Sequence, residues 1–193
     1  MMEPIFKQDI KDIMPKVVEW RRHFHQYPEL SFDEVETTKF LINEIEKLGN
    51  VAITRPTDTG LVARIKGAED GPTIALRADI DALKMPEMTG VEYASRNEGV
   101  MHACGHDAHT AMLMGVLSVF SKNQQDLKGE FVFIFQHAEE KPPGGAIEMV
   151  KANVLEGVDA IIGQHVSSIT EVGHMGLLVG PSSANSDCFE IVV

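Results

Sequence analysis

A thiol, several imidazoles and paired carboxylates recur in this chain beside short apolar runs, and together these donors point to a divalent transition-metal site. Met101-His102-Ala103-Cys104-Gly105-His106-Asp107-Ala108-His109 sets a cysteine two residues from a histidine. Gln136-His137-Ala138-Glu139-Glu140 supplies adjacent acids, Ala78-Asp79-Ile80-Asp81 supplies alternating ones, and Gly163-Gln164-His165 adds an imidazole. Thiolate, imidazole and carboxylate together suit zinc or a similar ion, whereas magnesium and calcium favour oxygen alone. In an extended segment the Cys-x-His spacing lets both side chains face one cavity, because alternate residues share a face. By itself that spacing is a weak signal. Glu139 and Glu140 say more. Two carboxylates so close repel unless a cation neutralises one or a proton resides on one, so one can ligate while the other handles protons.

Each of these residues also has a plainer reading. A free cysteine is more often a small buried hydrophobe, a reading that Cys188 keeps and that His102 and His106 argue against for Cys104. Adjacent acids are commonly a solvated loop pair, and His106 or His165 alone would pass for a satisfied core histidine. A cysteine nucleophile activated by a histidine is a further alternative for Cys104. Gly144-Gly145 lacks a phosphate-loop pattern, and tight packing at a helix start is its expected use. His23, His25, His137 and His174 read as local hydrogen-bonding residues, with His137 the nearest of them to a substrate.

The elements that must gather these groups alternate between helix and strand. Ile10, Ile13, Met14, Val17, Val18 and Trp20 recur at helical spacing between Asp9 and Phe24, with Pro15 inside the run. Ser31 or Asp33 is placed to cap a second helix whose apolar positions run from Val35 to Leu48 before Gly49. Leu61 to Ile65, and Thr73 to Ala78 after Asp70-Gly71-Pro72, read as strands. A helix follows from Asp107 to Phe120, then a buried strand Phe131 to Phe135, a helix opening at Gly144-Gly145, and a buried strand Ala160 to Gly163. Further strands are expected over Val172 to Val179 and Cys188 to Val193. The class is α/β. In open α/β sheets ligands gather at the carboxyl ends of strands, which is where Asp79, Asp81, His137, Glu139, Glu140 and His165 fall.

Composition narrows the function. The chain has 193 residues, enough for one good core, with 44% hydrophobic and 24% charged residues, which is ordinary for a folded globular protein. Seventeen basic against 29 acidic residues give a net charge of −12, which disfavours nucleic acid and anionic membrane as partners. Two cysteines are too few for a disulfide scaffold and suit a reducing, cytoplasmic compartment. The sequence stops within Phe189-Glu190-Ile191-Val192-Val193, an apolar run without a polar finish, and reads as truncated.

Four segments carry a resemblance: Arg22-His23-Phe24-His25-Gln26-Tyr27-Pro28-Glu29-Leu30-Ser31, Leu76-Arg77-Ala78-Asp79-Ile80-Asp81-Ala82-Leu83, Met101 to His109, and Phe135 to Glu140. In order and spacing they resemble the M20 metallopeptidase family, and within it the amidohydrolase branch of hippurate hydrolases, N-acyl-amino-acid deacylases and plant auxin-conjugate hydrolases. The resemblance implies a three-layer zinc-peptidase-like catalytic domain with a mostly parallel central sheet. It also implies two divalent ions (zinc, manganese, cobalt or nickel) that activate a water to cleave an N-acyl amino acid or short peptide. Cys104 would be shared by the two ions, His106, Glu140 and His165 would be further ligands, and Glu139 would be the general base. Asp79 and Asp81 would orient ligating imidazoles, and His102 and His109 are left as supporting groups without a ligand role. His137 and Lys84 stand where the family usually has proline. The family also has a last histidine ligand and an inserted dimerisation domain, expected beyond Val193, so residues 1–193 would be the N-terminal part of the catalytic domain of a homodimer and inactive alone. Within the family a metallo-dipeptidase or carboxypeptidase is the runner-up, and a metal-binding scaffold without turnover is the reading from another class.

Overall fold

In a computed structural model, residues 6–181, 189 and 191 are described. Helix α1 (Lys7–Gln26) buries Val17, Trp20 and Phe24 along one stripe and carries Pro15 on its exposed side, where the helix absorbs it. Helix α2 (Val35–Glu46) buries Leu41 and Ile45. Its first free N–H groups are taken by Glu29, whose carboxylate accepts from Glu36 and Thr37 at 3.1 and 2.7 Å. The caps expected from the sequence therefore do not form. The longer Glu29 side chain reaches the helix end, leaving Ser31 Oγ to donate to Asp81 at 2.6 Å.

Strand β1 (Ala52–Thr54), too short to announce itself by alternation, is followed by β2 (Leu61–Lys66) and β3 (Glu69–Asp79). Helix α3 (His106–Lys122), β4 (Lys128–Gln136), helix α4 (Gly145–Lys151) and β5 (Ala160–Gly163) complete the order. The strands form one sheet in the order β1-β2-β4-β3-β5. The α/β class holds, and the sheet is mixed: β1/β2 and β2/β4 are antiparallel, while β3/β4 and β3/β5 are parallel. The reason is the β2–β3 connection, only Gly67 and Ala68, far too short for the crossover that parallel strands require. Gly67 is needed there because a Cβ would lie 2.4 Å from the Leu127 carbonyl oxygen.

Alternation sorts the two faces of the sheet. Leu61, Ala63, Ile65, Phe133 and Phe135 join Trp20, Leu41, Met114 and Leu117 under α1, α2 and α3. Val62, Ala75, Val132 and Ile134 pack with Met149 of α4 and Val154 on the opposite face. Helices on both faces make three layers. The three parallel strands end at one edge, with Asp79 paired to Gln136 and Arg77 to Gly163, and α3 starts from the same edge.

Two strand expectations need correction. Ala160–Gly163 is a strand, but an exposed one: its apolar run lies at the sheet margin, with β3 on one side. Val172 to Val179 forms no strand and is exposed throughout, since Gly173 and Gly176 interrupt its apolar residues and no described strand lies beside it. The strand expected over Cys188 to Val193 falls outside the described residues, apart from isolated Phe189 and Ile191. Among the described residues no helix is long and apolar enough to cross a membrane.

Leu41 is fully enclosed between α2 and the sheet, whereas Met88 is 92% exposed. Leu41→Ala is expected to lower unfolding stability by about 2–5 kcal/mol through lost transfer energy and a residual cavity. Met88→Ala should lie within about 0.5 kcal/mol of the parent, and urea titrations of both variants check the contrast.

Candidate metal centre

The strand ends and the start of α3 converge on His106. Gly105 precedes the helix at φ +86°, a left-handed conformation that suits glycine and turns the chain sharply from Cys104 into α3. His106 Nδ1 faces the Asp81 carbonyl at 2.9 Å and its carboxylate at 3.2 Å, so Nδ1 carries the proton and Nε2 is left with a lone pair. Around Nε2 stand Asp79 Oδ2 at 3.6 Å, Glu140 Oε1 at 3.7 Å and Glu139 Oε2 at 4.0 Å. Among the described residues His106 Nε2 and Glu140 Oε1 are buried without a hydrogen-bond partner. Buried polar atoms are rarely left so.

Cys104 Sγ lies 3.4 Å from His165 Nε2. Donor atoms of Cys104, His106 and His165, and those of His106, Glu139 and Glu140, lie within 4.8 Å of one another in each set. A third set joins Asp79, His106 and His109, but both His109 nitrogens are engaged, Nδ1 with Asp79 Oδ1 at 2.6 Å and Nε2 with the Val166 N–H at 2.9 Å. Asp79 Oδ2 also accepts from Arg77 at 2.8 Å. The five residues expected to act on metal or water are thus brought together, with Asp79, Asp81 and His109 arranged around them. His102 sits apart, buried and without a described partner for either ring nitrogen, its pKa pushed down to about 4 by burial.

Electrostatics follow from this crowding of donors. Burial pushes the Cys104 thiol up to about 12, helped by its hydrogen bond with Glu140 and by the charges of Glu140, Glu139 and Asp79. Burial and then the Glu140 charge raise the Glu139 carboxyl above its usual range. Burial disfavours a charged His106, yet the bond to Asp81 and the surrounding carboxylates outweigh it and raise its pKa. Burial would likewise raise Asp81, but His106, Ser31 and the N–H groups of Glu140 and Glu139 bring it down to about 2. Sulfur, nitrogen and oxygen donors facing one another with excess negative charge fit a divalent transition ion.

Supporting residues outside the expected set complete the frame. Glu34, fully buried, accepts the Ala138 N–H at 2.7 Å and the Thr59 hydroxyl at 2.8 Å. It thereby holds Ala138, at φ +45°, directly before the glutamate pair. Asp107 accepts from Arg21 at 2.8 Å and lies 2.7 Å from His25 Nδ1, bracing α3 against α1. Glu34 gave no signal in the sequence, being one acid among several at a helix start. His137 is the local hydrogen-bonding residue expected, buried against Phe32 and Gly145 with Nε2 3.0 Å from Glu148, and it thereby anchors α4. The same packing uses Gly145, where a Cβ would lie 2.1 Å from the His137 carbonyl oxygen.

The profile of peptidase family M20/M25/M40 matches residues 75–190, which include every residue of this cluster. The chain belongs to peptidase family M20/M25/M40. Its relatives include an N-acyl-L-amino acid amidohydrolase of Geobacillus stearothermophilus, 47% identical over 191 residues, covering 99% of this chain and 52% of that protein. Thermostable carboxypeptidase 1 of Saccharolobus solfataricus is 43% identical over 189 residues, covering 97% and 48%. A Bacillus subtilis crystal structure described as a dinuclear metal binding peptidase of the M20 family superposes with a TM-score of 0.80 at 45% identity, covering 84% of this chain and 46% of that one. The chain spans about half the length of the curated relatives it matches. The family thus agrees with the resemblance carried by the four segments and with the α/β fold.

The raised Cys104 thiol separates metal chemistry from nucleophilic chemistry. At pH 8 a thiol near 12 holds a thiolate fraction roughly a thousandfold smaller than one near 9. Metal-free folded chain should therefore be alkylated at Cys104 far more slowly by iodoacetamide than urea-unfolded chain, as followed by mass mapping of its peptide. Rapid alkylation of the folded form would favour the cysteine nucleophile instead.

Proposed function

We propose that this chain carries the metal-binding part of the catalytic centre of an amidohydrolase that cleaves the amide bond of N-acyl amino acids, with acetyl or aromatic acyl groups. The observation that carries the reading is the pair of buried, unpartnered atoms His106 Nε2 and Glu140 Oε1, 3.7 Å apart beside Cys104 and His165. Cys104, His106, Glu140 and His165 would hold two divalent ions, with Cys104 shared. Such ions polarise a scissile carbonyl and supply a reactive water near neutral pH.

The chain's own residues divide the remaining work. Glu139, 42% exposed, is the carboxylate open to the cleft, and its raised pKa suits a group that takes a proton from water and returns it to the leaving amine. Asp81 holds His106 from Nδ1 and keeps Nε2 directed at the cluster. It also accepts the Glu140 N–H at 2.9 Å, so one carboxylate orients two of the four metal-holding residues.

The name of the Geobacillus relative supports N-acyl amino acids as the substrate class. The carboxypeptidase named among the relatives supports peptide hydrolysis as the second reading. Residues 1–193 would serve as the N-terminal part of the catalytic domain in a homodimeric whole protein. The two cysteines, too few for a disulfide scaffold, support a reducing, cytoplasmic setting.

In the full-length protein, chelation should abolish hydrolysis of N-acetyl and N-benzoyl amino acids, and added Zn²⁺, Mn²⁺, Co²⁺ or Ni²⁺ should restore it. Glu139→Gln should retain the metal content of the parent and lose roughly 10²–10⁴-fold in kcat, while Cys104→Ala should lose metal. Metal bound without any turnover would favour the scaffold reading. Turnover faster on dipeptides than on N-acyl amino acids would favour the peptidase, and unchanged turnover in Glu139→Gln would remove that residue from the role of base.

A further inference from the structure

We propose that His109 is a positioning residue which, through the backbone of Val166, sets the orientation in which His165 offers Nε2 to the centre. The inference rests on the reading of His165 as a metal-holding residue and adds what fixes it there.

His165 lies on the segment after β5, where residues 164–181 are exposed and little apolar burial holds the chain in place. Its neighbour is held on both sides of the same residue. The Val166 N–H donates to His109 Nε2 at 2.9 Å, and the Val166 carbonyl accepts from His165 Nδ1 at 2.6 Å. The second bond places the His165 proton on Nδ1 and frees Nε2, the atom 3.4 Å from Cys104 Sγ. The first bond ties this arrangement to the interior, because His109 is fully buried in the first turn of α3 and its Nδ1 donates to Asp79 Oδ1 at 2.6 Å. Only the tautomer protonated at Nδ1 satisfies both of its neighbours, and Asp79, an acceptor alone, selects that tautomer. The chain of contacts therefore runs from Asp79 at the end of β3, through His109 and the Val166 peptide, to His165.

Val166 also packs against the turn that carries Cys104. A Cβ on Gly105 would lie 2.3 Å from Val166 Cγ2, so the absence of a side chain at Gly105 permits the approach. The His109 and His165 rings stand edge to face with centroids 4.5 Å apart. His109 thus touches His165 by ring contact and its neighbour Val166 by hydrogen bond, with both of its nitrogens engaged away from the centre. Its work is registration of the segment, and it is no ligand.

The test compares His109→Gln, whose amide oxygen can replace Nε2 as acceptor, with His109→Asn, whose amide can reach Asp79 but not Val166, and with His109→Phe. In metal-free full-length protein, hydrogen exchange at the Val166 amide should be slow for the parent and for Gln and at least tenfold faster for Asn and Phe. Co²⁺ titration followed through the thiolate charge-transfer and d–d bands should give near-parental affinity for Gln. Asn and Phe should bind about 10–100-fold more weakly, with an altered d–d spectrum. Equal behaviour of Gln and Asn in both measurements would overturn the proposal, and that comparison decides it even if Phe fails to fold. His165→Ala separates this failure from failure of the parent reading. Parental Co²⁺ affinity and spectrum in His165→Ala would remove His165 from the centre, whereas weakened binding in His165→Ala with parental binding in His109→Asn would remove only His109.

Discussion

The site depends on a local excess of negative charge around one buried imidazole. Asp79, Asp81, Glu139 and Glu140 all surround His106, and the nearby Cys104 would add another negative charge if deprotonated. Burial and the neighbouring carboxylates push the Cys104 thiol and the Glu139 carboxyl up, while the bond to Asp81 and the surrounding carboxylates raise His106 despite burial. The thiol and carboxyl shifts are the response expected when like charges share a poorly solvated space, and the imidazole shift is the response of a cationic group to the same carboxylates. A divalent ion would relieve the repulsion and engage the two unpartnered atoms, His106 Nε2 and Glu140 Oε1, at the same time.

Such a cluster is costly to assemble, and the fold meets the cost with rigid backbone. Parallel pairing of β3 with β4 and β5 delivers three acidic or imidazole-bearing termini to one sheet edge. Two positive-φ residues then turn the chain inward, Gly105 into α3 and Ala138 ahead of the glutamates. Glycine adopts that conformation freely, but alanine does so at a steric cost. The buried Glu34 carboxylate, which takes the Ala138 N–H, supplies a compensating bond at the very residue that needs one. Asp81 plays the matching part on the other side, since Ser31, the Glu140 N–H and His106 all end on it.

What the sequence made legible follows from what kind of information each feature carries. Donor type and strand-end position are local properties, so Cys104, His106, Glu139, Glu140 and His165 could be picked out, and the structure brings them together. Short, continuous apolar runs between polar stretches, such as Phe131 to Phe135, announce a buried strand. Partners chosen over long range do not. Glu34 to Ala138 spans 104 positions and Arg21 to Asp107 spans 86, and nothing near either residue marks the pair. The mixed sheet was obscured for a related reason: alternation reveals a strand but not its neighbour, and only the two-residue link from β2 to β3 carried the hint of an antiparallel turn.

The cluster is also unequal in its rigidity, and that bears on how it would respond to an ion. His106 and Asp79 are buried on elements that share the main core, and Glu140 is pinned through its own N–H. His165 sits on an exposed segment fastened by few bonds. Opening free energies follow burial and contact density, so fluctuations should open the His165 side of the centre well before the His106 side. An ion that binds only the closed arrangement stabilises it by mass action, and the gain falls first on the least stable part, the segment after β5. The rigid side of the site would thus select an ion through its donors and the looser side would follow it, and the backbone of Val166 is the point at which the two sides meet.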